Sequence, residues 1–219
     1  MIASGHDESG TGGGTNSGTG EGRTAGEPAP DRVRTPDRDG ELATAIRLRD
    51  GGDPAERERA RLLLVELAGR LPDDAEVAYH TAWAHDVLER EAEAVPYYER
   101  ALALGGAPGP GGSGSGSGLG EADRAEAYLG LGSTYRVLGR YAEAERTLRA
   151  GVAAFPGHGG LRAFLGLALY NTGRHRESVR LLLELLARTS DDPSVRGYER
   201  ALAFYAADPD HTLPPVDPA

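Results

Sequence analysis

The side chains able to do catalytic or metal chemistry are few in this sequence and poorly spaced for it. His80 and His85 stand five residues apart, which turns them to different helical faces, whereas a two-histidine metal site on one helix uses a spacing of about four. His158 and His175 stand alone, in a turn and at a helix start. Asp86, Glu89, Glu91 and Glu93 make an acidic patch near a helix–helix turn, which we read as solvated surface rather than a divalent-cation site. With no cysteine, the chain has no thiolate ligand, thiol nucleophile or disulfide framework. No serine or threonine stands in a nucleophile elbow. The glycine-rich run GGAPGPGGSGSGSGLGE at 105–121 lacks the preceding strand and following lysine of a phosphate-cradling loop. No enzyme activity, metal or cofactor is expected. The recognition chemistry that remains is aromatic, and Trp83 is the sole tryptophan.

Charge narrows the partners. The chain of 219 residues carries a net charge of −10, which disfavours nucleic acid and anionic membrane surfaces, both of which need basic patches. Every basic residue is arginine, a composition that, with abundant Ala, Gly and Pro, reads as GC-rich bacterial coding. No apolar run approaches the roughly 18 residues of a membrane span, and the N-terminus lacks a signal peptide's apolar segment. A cytoplasmic location is the expectation.

The elements that would position any site are organised around Ala125 to Pro156, AEAYLGLGSTYRVLGRYAEAERTLRAGVAAFP. Ala125, Tyr128, Leu131, Gly132 and Tyr135 recur at steps of three and four, one face of a helix. Gly139 ends that helix with a residue free to take positive φ. Tyr141, Ala144, Leu148 and Val152 then form a second periodic run that stops before Pro156. Gly132 and Ala144 are small enough to let two antiparallel helices approach closely. The hairpin cannot bury its apolar stripes alone, so stacked neighbours are required.

The spacing resembles the tetratricopeptide repeat, a helix–turn–helix unit of about 34 residues patterned W-x2-L-G-x2-Y, A-x3-F, Pro. Tyr128, Leu131, Gly132, Tyr135, Ala144, Leu148 and Pro156 fill it, with Tyr for Trp, Leu for Phe, and Gly151 where Ala is usual. The same register gives repeats at 41–74, 75–108, 125–158 and 159–192, a capping helix at 193–207 and an irregular tail at 208–219. The first repeat is degenerate, but its second helix opens well, with Asp53 as N-cap, Pro54 at the first turn and Glu56 as in a capping box. In the second repeat Pro96 predicts a late start or a slight kink. The apolar run Leu181, Leu182, Leu183, Leu185 and Leu186 predicts a helix buried on both flanks, covered by a last helix carrying Val195, Tyr198, Ala201, Leu202 and Tyr205. Residues 1–40 hold too few apolar side chains to order and read as a disordered arm, either a tether or an unselected extension. Residues 105–120 read as a flexible insertion that the stack bridges.

The expected fold is therefore an all-α solenoid of about four repeats plus a cap, similar to small bacterial, actinobacterial-type tetratricopeptide proteins. The resemblance implies a concave groove lined by the first helix of each repeat. Carried over by position, its groove residues are Glu76, Tyr79, Trp83, Asp86 and Val87, then Glu126, Leu129, Ser133, Arg136 and Val137, then Ala163, Leu167, Tyr170 and Asn171. Trp83 is either a groove anchor or a core residue packed on a neighbouring helix. The Lys/Asn/Arg carboxylate clamp of some family members is absent, since the corresponding places hold Ala45, Arg49, Tyr79, His80 and Trp83. The implied function is a non-catalytic scaffold for a protein or peptide partner. The alternative is a self-associating protein whose copies pair through the apolar C-terminal helices.

Overall fold

The structure is a computed structural model describing residues 37–106 and 118–213. Expectations about the arm before residue 37, about 107–117 and about 214–219 lie outside the described residues. Ten helices and no strand occur among the described residues. Four hairpins are formed by α1 (Arg38–Asp50) with α2 (Pro54–Arg70), α3 (Ala75–Asp86) with α4 (Glu91–Leu104), α5 (Glu121–Val137) with α6 (Tyr141–Ala154), and α7 (Gly159–Asn171) with α8 (His175–Thr189). Two short helices, α9 (Pro193–Arg196) and α10 (Glu199–Ala207), complete the stack. The odd helices α1, α3, α5 and α7 touch one another in sequence, while α2, α4 and α6 pack on the odd helices that flank them. The odd helices therefore form the inner face.

Local chemistry accounts for the helix ends. The Asp53 carboxylate accepts from the Ala55 N–H at 2.8 Å, and Pro54 occupies the first turn. Asp74 caps α3 through the Val77 N–H at 3.0 Å, and His158 caps α7 through Nδ1 and the Leu161 N–H at 3.1 Å. The turns inside the last three hairpins share one geometry. Arg90, Arg140 and Arg174 donate their N–H to the carbonyls of His85, Tyr135 and Leu169, at 3.1, 2.8 and 2.9 Å. That six-to-one bond requires a left-handed residue just before the arginine. Gly139 (φ 73°) and Gly173 (φ 78°) supply it, but Glu89 (φ 57°) fills the same place in the second hairpin.

Small residues set the hairpin spacing. A Cβ on Gly132 would lie 2.7 Å from Leu148 Cδ2, and one on Gly166 would lie 2.8 Å from Leu182 Cδ2. The main core runs continuously from Ala75 through Tyr98, Leu131 and Leu148 to Leu169. It crosses from α4 to α5, with Leu119 buried between them. Gly105 and Gly106 are held at this junction, since Arg124 Nη1 donates to the Gly106 carbonyl at 2.9 Å.

Several details differ from expectation. The first helix begins at Arg38, inside the stretch read as arm, because Asp37 caps it and Arg38 pairs with Asp74 and Glu76. Helix α4 starts promptly at Glu91 despite Pro96; Ala92, whose carbonyl the proline leaves free, is exposed, so water can satisfy it. The terminal helix is broken at Gly197–Tyr198, glycine being a poor interior helix residue. The break leaves Tyr198 and Tyr205 exposed instead of packed. Helix α10 does pack on α8, as expected of the cap, but α8 is not buried on both flanks: Ser178 is its one fully buried residue, and Leu186 is exposed.

Candidate functional site

On the inner face, α3 lies between α1 and α5 and presents Tyr79, His80 and Trp83 along one side. The buried guanidinium of Arg49, from α1, lies 3.6 Å from the centre of the Trp83 ring. Arg49 also pairs with Asp50 at 2.9 Å and donates to His80 Nδ1 at 2.9 Å. Arginine can only donate, so the His80 ring proton resides on Nε2. Burial, reinforced by the Arg49 charge, pushes His80 down to about 4 and keeps it neutral. Trp83 packs against Arg49 and His80, yet stays 37% exposed at a concavity.

That concavity, of about 320 Å³, is enclosed by Tyr79, Trp83, Asp86 and Val87 of α3, Tyr98 of α4, Glu126, Leu129, Gly130 and Ser133 of α5, and Phe164 of α7. Asp86 accepts hydrogen bonds from Tyr98 Oη at 2.7 Å and Thr134 Oγ1 at 3.1 Å. It thereby ties α3 to α4 and α5 at the pocket floor. Burial still raises its carboxyl above the usual range. Gly130 makes the Tyr98 placement feasible, since a Cβ there would stand 2.5 Å from the tyrosine ring. One turn before Glu126 on α5, Asp123 is also raised, first by burial and then by the charge of Glu76, with Arg49 acting the other way. Glu126 meets His158 Nε2 at 3.1 Å.

Of the groove residues expected from sequence, Tyr79, Trp83, Asp86, Val87, Glu126, Leu129 and Ser133 come together in this pocket. Glu76 instead pairs with Arg38. Arg136 is half-buried further along α5, with Nε unpartnered among the described residues. Leu167 and Tyr170 are exposed on α7, the latter against the His175 ring, and Asn171 is half-buried. Sequence reasoning missed Tyr98 and Phe164. Tyr98 was detectable as the one tyrosine at a position where the other repeats carry Leu64, Leu148 and Leu182.

Two larger hollows lie elsewhere. One of about 610 Å³ lies between the start of α1 and the end of α2, and one of about 470 Å³ at the start of α8. The charged side chains of the second are already paired, Arg174 with Glu145 and Glu177, and Arg176 with Asp208 and Asp210. Neither hollow joins an aromatic wall to unpaired charge as the inner pocket does.

No curated protein matches the sequence significantly. Among solved structures, the chain is similar to the MamA protein (18% identity over 82% of this chain and 80% of that one, TM-score 0.53). It is also similar to YrrB, described as a TPR protein with an unusual peptide-binding site (18%, 80% and 88%, TM-score 0.51). A third likeness is to PilF of Pseudomonas aeruginosa (18%, 78% and 69%, TM-score 0.53). At such identities the likeness is one of fold. The family described as "Tetratrico peptide repeat" matches residues 75–208, spanning α3 to α10 and more than half of the chain. The stacked hairpins and that match together make this chain a member of the tetratricopeptide repeat family.

Proposed function

We propose that the chain is a non-catalytic interaction scaffold, that residues 41–207 are its interaction domain, and that a peptide or partner helix lies along the inner face, anchored over Trp83. The observation that carries the reading is the pocket itself: aromatic side chains from three helices enclose a concavity open to solvent on the face formed by the odd helices. Trp83 is exposed there while Tyr79 and Tyr98 are buried beneath it, and an aromatic anchor in a concave setting is the kind of side chain that dominates binding energy at protein interfaces. The peptide-binding site named for YrrB supports the same use of the fold. Glu76, Arg136, Leu167, Tyr170 and Asn171 then extend the contact beyond the pocket.

The test is site-specific photo-crosslinking in native lysate, with the crosslinker replacing Ser133 in the groove or exposed Arg146 on α6. A discrete adduct from Ser133 that is absent from Arg146, and reduced at least about tenfold by Trp83→Ala, is expected for a groove anchor. Equal labelling from both positions refutes the groove reading.

A second reading, self-association, is favoured by a separate observation. Val179, Leu186, Tyr198, Phe204 and Tyr205 are all exposed at the C-terminal end of the stack. Sedimentation equilibrium at micromolar concentration distinguishes it, since a constant monomer mass removes this reading and leaves the first.

A further inference from the structure

The inner pocket has a chemistry more specific than "peptide". Its walls are Trp83 and Phe164 over the nearly buried Tyr79 and Tyr98, and two carboxylates face it: Asp86, and Glu126, one of whose oxygens meets His158 Nε2; among the described residues no arginine or histidine is in the lining. Asp86 has two hydroxyl donors but no cationic partner among the described residues. Asp123, one turn before Glu126 on α5, feels the charges of Glu76 and Glu126, offset in part by Arg49. The pocket is therefore a partly desolvated negative site with unfilled acceptor capacity, since an ionised carboxylate offers about four lone-pair positions. Aromatic faces attract cations, and this protein demonstrates the preference on the same ring: Arg49 already stacks on Trp83 at 3.6 Å, its own charge countered by Asp50.

On the reading that the inner face binds a peptide, we propose that the pocket receives an arginine side chain of that partner, its guanidinium against the aromatic walls and facing Asp86 and Glu126. Arginine fits better than lysine. Its planar fork combines stacking with bidentate hydrogen bonding to carboxylates, and it is more weakly hydrated than an ammonium. The chain's net charge of −10 favours the approach of such a basic segment.

The test uses the full chain and N-acetylated nonapeptide amides of alternating Ala and Ser with Arg, citrulline, Lys or Leu at the centre. Trp83 emission is the readout, because no other tryptophan contributes. Citrulline keeps the shape of arginine without its charge. The Arg peptide is expected to perturb Trp83 saturably at 0.15 M salt, and the citrulline and Leu peptides to bind at least about tenfold more weakly, the loss of one charge-assisted hydrogen bond. The Lys peptide falls between. Glu126→Gln, at an exposed position that the fold tolerates, should weaken the Arg peptide about fivefold or more and leave the Leu peptide unchanged. Citrulline or Leu binding as well as Arg, or indifference to Glu126→Gln, overturns the arginine assignment. If no peptide moves Trp83 while Ser133 crosslinks persist, the assignment falls and the groove reading stands. If the Ser133 crosslinks are also absent, the groove reading falls with it.

Discussion

Replacing Gly132 with alanine sets two effects of opposite sign against each other, and the structure decides between them. Alanine is favoured over glycine in a helix interior by about 1 kcal/mol. The new methyl, however, would stand 2.7 Å from Leu148 Cδ2 and closer still to Cγ, where carbon atoms prefer about 3.5–4.0 Å. Leu148 is fully buried, so its branch point cannot swing into solvent. Helices α5 and α6 must separate instead. Overpacking of this kind costs about 1–3 kcal/mol, and a clash at the branch carbon belongs at the upper end. The expected net loss is about 1–2 kcal/mol. Gly69 provides the control. It is exposed on α2 with no atom within 4 Å of a built Cβ, so Gly69→Ala should stabilise by up to about 1 kcal/mol. Urea midpoints followed by circular dichroism, compared at constant m, measure both. Leu148→Ala alone should cost about 2–5 kcal/mol, but less when combined with Gly132→Ala, with a coupling of about 1 kcal/mol or more. A Gly132→Ala variant as stable as wild type, or strict additivity in the double variant, would refute close α5–α6 contact as the determinant of repeat spacing.

Two further outcomes follow from the second hairpin. Glu89→Gly should raise the urea midpoint by about 1 kcal/mol equivalent, the usual cost of a left-handed side chain, while Glu89→Ala should bring no such gain. His80 gives a pH signature. Its folded value, about 4, lies below its ordinary 6.5, so its neutral form contributes fully above pH about 6.5, and that contribution is lost as pH falls toward 4, up to about 3 kcal/mol by linkage. His80→Asn keeps an acceptor for Arg49 without the titration, so its stability should fall less steeply between pH 6.5 and 4.5. Parallel declines in the two proteins would remove His80 as the cause.

The features legible in the sequence are those written within one repeat. Helical periodicity, the Asp53–Pro54 start, the positive-φ turn at Gly139 and the small residue at Gly132 each depend on neighbours a few positions away, where local rules are strong. The features that escaped are contacts across repeats. The start of α1 depends on Arg38 reaching Asp74 and Glu76. The neutral state of His80 depends on burial and on Arg49, in another repeat. Matching each repeat to a common pattern compares equivalent positions with one another, and it is blind to partners at non-equivalent ones. The broken cap has a different cause: Gly197 interrupts a helix that apolar spacing alone would continue.

The pocket itself arises from one such non-equivalent pairing. In the third and fourth repeats a glycine faces a leucine across the hairpin, Gly132 with Leu148 and Gly166 with Leu182. In the second repeat the same positions hold Ala82 and Tyr98. The tyrosine is larger than the leucine it replaces, and its ring reaches α5, where Gly130 admits it. Its hydroxyl then needs an acceptor when buried, and Asp86 supplies one while also holding Thr134. This places a half-buried carboxylate with no cationic partner among the described residues beneath aromatic rings at the junction of two repeats. The second repeat also carries the strained turn at Glu89 and the proline inside α4. Departures from a local rule tend to concentrate where function imposes its own demands, and in this repeat they accompany the helices, α3 and α4, that supply Tyr79, Trp83, Asp86 and Tyr98 to the concavity.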